Sequence, residues 1–232
     1  MMFDPILLII TVVFMVIGMI VSGRLKNIFK EYSQVALSSG MSGKEIAEKM
    51  LRDNDIHDVQ VISVEGQLTD HYNPANKTVN LSSDVYTGRN VAAAAVAAHE
   101  CGHAVQHATA YAWLQMRSTL VPVVNFSSRM MNFVFFGMML FAFTSHLYNQ
   151  ALLVIIILQA AITLFTLITL PVEFDASRRA LTWLDSTRLA KGEEHEKATI
   201  ALKWAASTYI VAALASIATL LYFIMQYTSR RD

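Results

Sequence analysis

The sequence predicts a mainly α membrane protein, with about four transmembrane helices and a small cytosolic α+β unit. Three observations predict it. Hydrophobic residues make up 54% of the 232-residue chain and charged residues only 16%, against roughly 25% charged in an ordinary soluble domain. Residues 5–23, 130–172 (His146 aside) and 204–229 carry no charge at all. The stretches between them are polar and show helix and strand periodicities.

The first and last uncharged stretches each suit one span, since a helix crosses a bilayer in roughly 20 apolar residues. The expected helices are 5–23 and 207–228. The N-terminal one reads as a retained anchor rather than a signal peptide. Asp4 precedes it, and the basic residues Arg24, Lys26 and Lys30 follow it. The middle stretch suits a hairpin of two spans over 130–170, turning at Ser145 to Gln150, whose polar groups are costly in lipid. Sixteen of the eighteen Lys and Arg lie in 24–129 and 171–206. By the positive-inside rule both segments are cytoplasmic and both termini lie outside. The expected location is a cell (plasma) membrane, multi-pass.

Within 24–129, Ser42 is an expected N-cap for a helix over 42–53, with apolar residues at Ile46, Ala47, Met50 and Leu51. "VQVISV" (59–64) alternates and reads as a strand. "NPANKT" is a turn leading to a second strand, Thr78–Ser82. Asn90 is the expected N-cap of an alanine-rich helix over 90–113. In 171–206, Pro171 ends the third span or opens a new helix. "KGEEHEKATIALKWAA" is a solvated helix running into the last span. Net charge is zero, so no attraction to nucleic acid is expected. The single cysteine, Cys101, excludes an internal disulfide and reads as a small buried residue.

The alanine-rich helix carries His99-Glu100-Cys101-Gly102-His103, an H-E-x-x-H motif. Residues i and i+4 share a helix face, so two imidazoles can grip one Zn²⁺. The glutamate beside them can reach a water as general base. The lead-in "VAAAAVAA" marks a buried rather than a solvated helix. Gly102 costs such a helix roughly 1 kcal/mol against alanine, and close packing against another backbone is the expected reason. A catalytic zinc takes three protein ligands. His107 is too far along the axis. Glu173, just after the third span and on the same membrane side, is better placed.

"AAHECGHAVQHA", with "DHYNP" upstream and "LPVEFDASRRA" downstream, resembles the YugP-type membrane neutral zinc metallopeptidases over nearly the whole chain. It is more distantly similar to HtpX and the zinc CAAX prenyl proteases, which are gluzincins. The resemblance implies a zincin-like metalloprotease unit, Zn²⁺ held by His99, His103 and Glu173, and Glu100 as general base. In the HtpX-like pattern an Asp lies four residues after the ligand Glu, and here that position is Ser177. Asp175, at i+2, falls on roughly the opposite side of the helix. Ser177 is therefore the candidate to orient a ligand imidazole by hydrogen bonding. His71, Tyr72 and Arg178 are candidates to stabilise the oxyanion, with Asp70 stabilising a turn. The strand Thr78–Ser82 is a candidate to receive substrate as an added strand.

The expected function is therefore an integral membrane zinc endopeptidase with a cytoplasmic site. It would cleave protein or peptide substrates, membrane proteins among them, in membrane-protein quality control. The alternatives are an inactive zinc-binding membrane scaffold or partner-docking protein, and a zinc transporter or sensor. Against the last, the expected spans hold no acidic residues to line an ion path. Substrate identity, oligomeric state and regulatory partners have no signature in the sequence.

Overall fold

The computed structural model describes residues 4–140 and 145–229. The described chain is mostly helical, with one three-stranded sheet. Its elements run α1 (Pro5–Tyr32), α2 (Gly43–Asp53), β1 (Gln60–Val64), β2 (His71–Asn73), β3 (Thr78–Ser82), α3 (Ser83–Thr87), α4 (Val91–Ala108), α5 (Ala112–Leu140), α6 (Ser145–Ser186) and α7 (Glu193–Thr228). It divides into two compact units. One comprises Met1–Ile20, Met116–Leu170 and Thr208–Asp232. The other comprises Val21–Gln115 and Pro171–Ser207.

The second unit contains the sheet and the motif helix. α2 starts where its chemistry says it should. The Ser42 hydroxyl accepts from Glu45 N at 3.3 Å, and the Glu45 carboxylate accepts from Ser42 N at 2.7 Å. This reciprocal pair satisfies two amides that the helix itself leaves open. Arg89 holds the same carboxylate at 2.8 Å. α4 is capped by Asn90, whose side chain accepts from Ala93 N at 2.8 Å. Its alanines are nearly all buried, because small side chains let α2, the sheet and the start of α7 approach. Ile46, Met50, Val79, Leu81, Val91, Cys101, Leu184 and Leu202 form the core around them.

The sheet order is β1-β3-β2, with β3 parallel to β1 and antiparallel to β2. β3 is buried along its whole length. This corrects the expectation that Thr78–Ser82 receives substrate. A strand paired on both sides has no free edge to offer. His71 and Tyr72 form β2 with Asn73, directly before the turn at 74–77.

The first unit is apolar. Leu152, Ile155, Tyr222 and Phe223 pack together from α6 and α7. Gln159 Nε2 and Thr163 Oγ1 both bond Ser216, at 3.1 and 2.8 Å. Such polar side chains hold helices together where the surroundings supply no water.

Among the described residues, three helices are long and apolar enough to cross a membrane: Pro5–Tyr32, Leu147–Ser186 and Glu193–Thr228. α1 exposes Ile9, Met15, Met19 and Ile20, apolar side chains suited to a lipid surrounding. The expected hairpin differs in its details. Ser145 to Gln150 is not a turn but the first part of α6. The link from α5 falls in 141–144, outside the described residues. α5 begins as early as Ala112 and carries Arg117, Asn125 and Arg129 along its length. Pro171 neither ends nor starts a helix; it lies inside α6. The alanine-rich helix also ends sooner than 113, at Ala108. Ala110 takes a positive φ of 52°, which breaks the helical path before α5.

Candidate metal centre

α4 places His99 and His103 one turn apart, ring centroids 4.8 Å apart and nearly perpendicular. α6 brings Glu173 to meet them. Its Oε2 lies 3.4 Å from His99 Nε2 and 3.6 Å from His103 Nε2. One ligand atom from each residue lies within 4.8 Å of the others. Donors placed tetrahedrally around zinc at 2.0–2.2 Å stand roughly 3.3–3.6 Å apart. The two Glu173–imidazole spacings fit that geometry, and two imidazoles with one carboxylate are a donor set zinc accepts. Glu173 is only 2% exposed, a costly place for a carboxylate unless cationic partners or a metal meet it.

Gly102 is what lets the two helices approach. A Cβ there would lie 2.5 Å from the main-chain oxygen of Ala176. The glycine expected to mark backbone contact does so, and the contact is with the segment that carries Glu173.

Hydrogen bonds surround the three side chains. Ser177 Oγ is 3.1 Å from His99 Nδ1. His103 Nδ1 is 3.0 Å from Gln106 Oε1. Burial disfavours the His103 imidazolium, but the Glu173 carboxylate, helped by Glu100, outweighs it and holds the group above its ordinary range. Burial pushes the Cys101 thiol well up. It is fully buried, as expected, and unsuited to act as a nucleophile.

Glu100 lies beside the pair, buried, and its Oε2 accepts the main-chain N–H of Tyr72 at 3.0 Å. β2 is thus positioned by its backbone, with its outer edge turned onto α4. Asp70 anchors the start of that strand. Its carboxylate accepts from Ser82 N at 2.7 Å and from the Ser82 hydroxyl at 3.1 Å. Burial raises the Asp70 carboxyl, and the Ser82 bonds offset this only in part.

The remaining candidates are less central. The Tyr72 hydroxyl meets His107 Nδ1 at 2.8 Å, on the exposed side. Burial raises that hydroxyl, so it stays protonated. His71 is exposed, and its Nδ1 meets Thr69 O at 2.7 Å. Arg178 pairs with Asp175, three residues back on α6. Asp175, expected to point away, is buried and also takes Arg179 and Gln106 Nε2. Sequence reasoning missed Gln106. Its signal was present, since it stands three residues after His103 on the same helix face.

The chain is 43% identical over 209 residues to the "Putative membrane protease YugP" of Bacillus subtilis (strain 168), covering 90% of this chain and 91% of that protein. No solved structure matches it. Residues 7–228 match the family described as "Putative neutral zinc metallopeptidase". With that match over nearly its whole length, the chain belongs to the neutral zinc metallopeptidase family.

Proposed function

We propose that this protein is an integral membrane endopeptidase that uses zinc held by His99, His103 and Glu173, with Glu100 as general base. The observation that carries the reading is the convergence of those three side chains beside a buried carboxylate. Zinc bound there would polarise a scissile carbonyl and lower the pKa of a water toward ~7. Glu100 would serve as the general base, accepting a proton from the attacking water and delivering it to the leaving amine. The Tyr72 N–H fixes Oε2, which leaves Oε1 free to carry the proton. Glu100 and His103 on α4 and Glu173 on α6 are buried, which limits access of bulk water.

Four spans, with the site on the cytoplasmic face, complete the proposal. The placement of basic residues supports that orientation. A site close to the bilayer suits membrane-protein substrates, and quality control of such proteins is the role proposed. An inactive zinc scaffold has no use for Glu100, nor for a strand that anchors it.

Glu100→Gln tests the chemistry. The variant keeps the three proposed ligands, so it should retain zinc. Peptide cleavage should fall by at least the 10²–10⁴-fold typical of general acid–base catalysis. Normal cleavage by zinc-loaded Glu100→Gln would reject the mechanism and favour the scaffold.

A further inference from the structure

α4 carries a glutamine that the peptidase reading leaves without a role. Gln106 is fully buried, and its amide is saturated. Nε2 donates to the Val172 carbonyl at 2.8 Å and to Asp175 Oδ2 at 3.0 Å. Oε1 lies 3.0 Å from His103 Nδ1. An amide nitrogen has two hydrogens. Both are taken by groups that only accept: a main-chain carbonyl, and a carboxylate paired with Arg178 and Arg179. Turning the amide over would set its oxygen against both acceptors. Its orientation is therefore fixed, and Oε1 faces the imidazole.

A carbonyl oxygen cannot donate, so His103 Nδ1 must carry the hydrogen. The lone pair of the neutral ring then sits on Nε2, the nitrogen 3.6 Å from Glu173 Oε2. His99 has no such constraint, because the Ser177 hydroxyl beside its Nδ1 can donate or accept. The same glutamine bonds the carbonyl of Val172 and the side chain of Asp175, one residue before and two residues after Glu173 on α6.

We propose that Gln106, backed by Asp175, is a positioning residue that fixes His103 in its Nδ1–H tautomer and ties that ring to the Glu173 segment of α6. The effect on metal affinity rests on the zinc reading above; the tautomer does not.

Nitrogen-15 NMR of labelled histidines in the full, metal-free chain tests this, with the pH raised above the ordinary imidazole range until the His103 shifts are those of a neutral ring. The His103 signals are those missing from His103→Asn. They should show the proton on Nδ1 in the wild type and a mixture of tautomers in Gln106→Met, which keeps the side chain's bulk. A wild-type His103 protonated on Nε2 overturns the proposal, with no variant needed. Competition against a chromophoric chelator gives the second readout. Gln106→Met should bind zinc about 10–100-fold more weakly, as when a ligand loses its hydrogen-bond partner. A folded Gln106→Met with wild-type affinity overturns the positioning role. If the wild type binds no zinc yet shows the Nδ1–H tautomer, the metal reading fails and the Gln106 assignment stands.

Discussion

Gly102→Ala is the perturbation whose size the structure sets most clearly. On an isolated helix it stabilises by roughly 1 kcal/mol. Here the new Cβ would lie 2.5 Å from Ala176 O, about 0.9 Å inside the 3.4 Å where ordinary contact begins. The obstacle is main chain, so α4 and α6 must separate by most of that distance. Overpacking of this kind costs roughly 1–3 kcal/mol, so the net change in stability is a modest loss. The metal site is less tolerant. His99 and His103 ride on α4 and Glu173 on α6, and coordination distances hold to about ±0.2 Å. The displacement exceeds that several-fold and removes Glu173 from the set. Zinc affinity, measured by chelator competition on purified protein, should fall at least tenfold while melting shifts by only a few degrees. Gly23→Ala is the control, since no described atom lies within 4 Å of a Cβ there. Wild-type zinc affinity in Gly102→Ala would refute the claim that this glycine sets the ligand spacing.

Asp70→Ala releases the start of β2 and with it the Tyr72 N–H on Glu100. A hydrogen bond to a charged group contributes about 1.5–3 kcal/mol, so kcat/KM should drop roughly 10–100-fold with zinc content unchanged. Zinc binding must displace the His103 proton, which is held more tightly than in an ordinary histidine. Affinity should therefore begin to weaken at a higher pH than for an ordinary imidazole pair, falling as pH drops through that raised pKa; a flat titration from pH 8 to 6 would contradict the assignment. Ser38 and Glu194 are hydrogen-bonded, Ser38 N to Oε1 at 2.8 Å. Cysteines at Ser39 and Glu194, in a chain with Cys101 replaced, should label from the cytoplasmic side alone; labelling of either from outside would reject the proposed orientation.

Much of the site was legible because its parts lie close in sequence. His99 and His103 share a face by helical geometry, and Gly102 is out of place in an alanine-rich helix unless another backbone is near. The caps Ser42 and Asn90 were legible for the same local reason. What escaped depends on segments meeting across the fold. β2 has three residues, too few for a period, and exists because β3 pairs with it. Pro171 signals a helix boundary by its missing N–H, yet α6 continues through it, at the cost of one main-chain hydrogen bond. Counting along α6 put Asp175 on roughly the opposite side of the helix from Glu173, which hid its link to the site: Gln106 reaches across from α4 to meet it. Arg178 had the charge for an oxyanion and is held by Asp175 instead.

The central claim is that one zinc ion sits among His99, His103 and Glu173. Elemental analysis of the purified full chain tests it most directly, comparing wild type, Glu100→Gln and His103→Ala. The account predicts one zinc per chain in the first two and none in the third. Stoichiometric zinc retained by His103→Ala would contradict it.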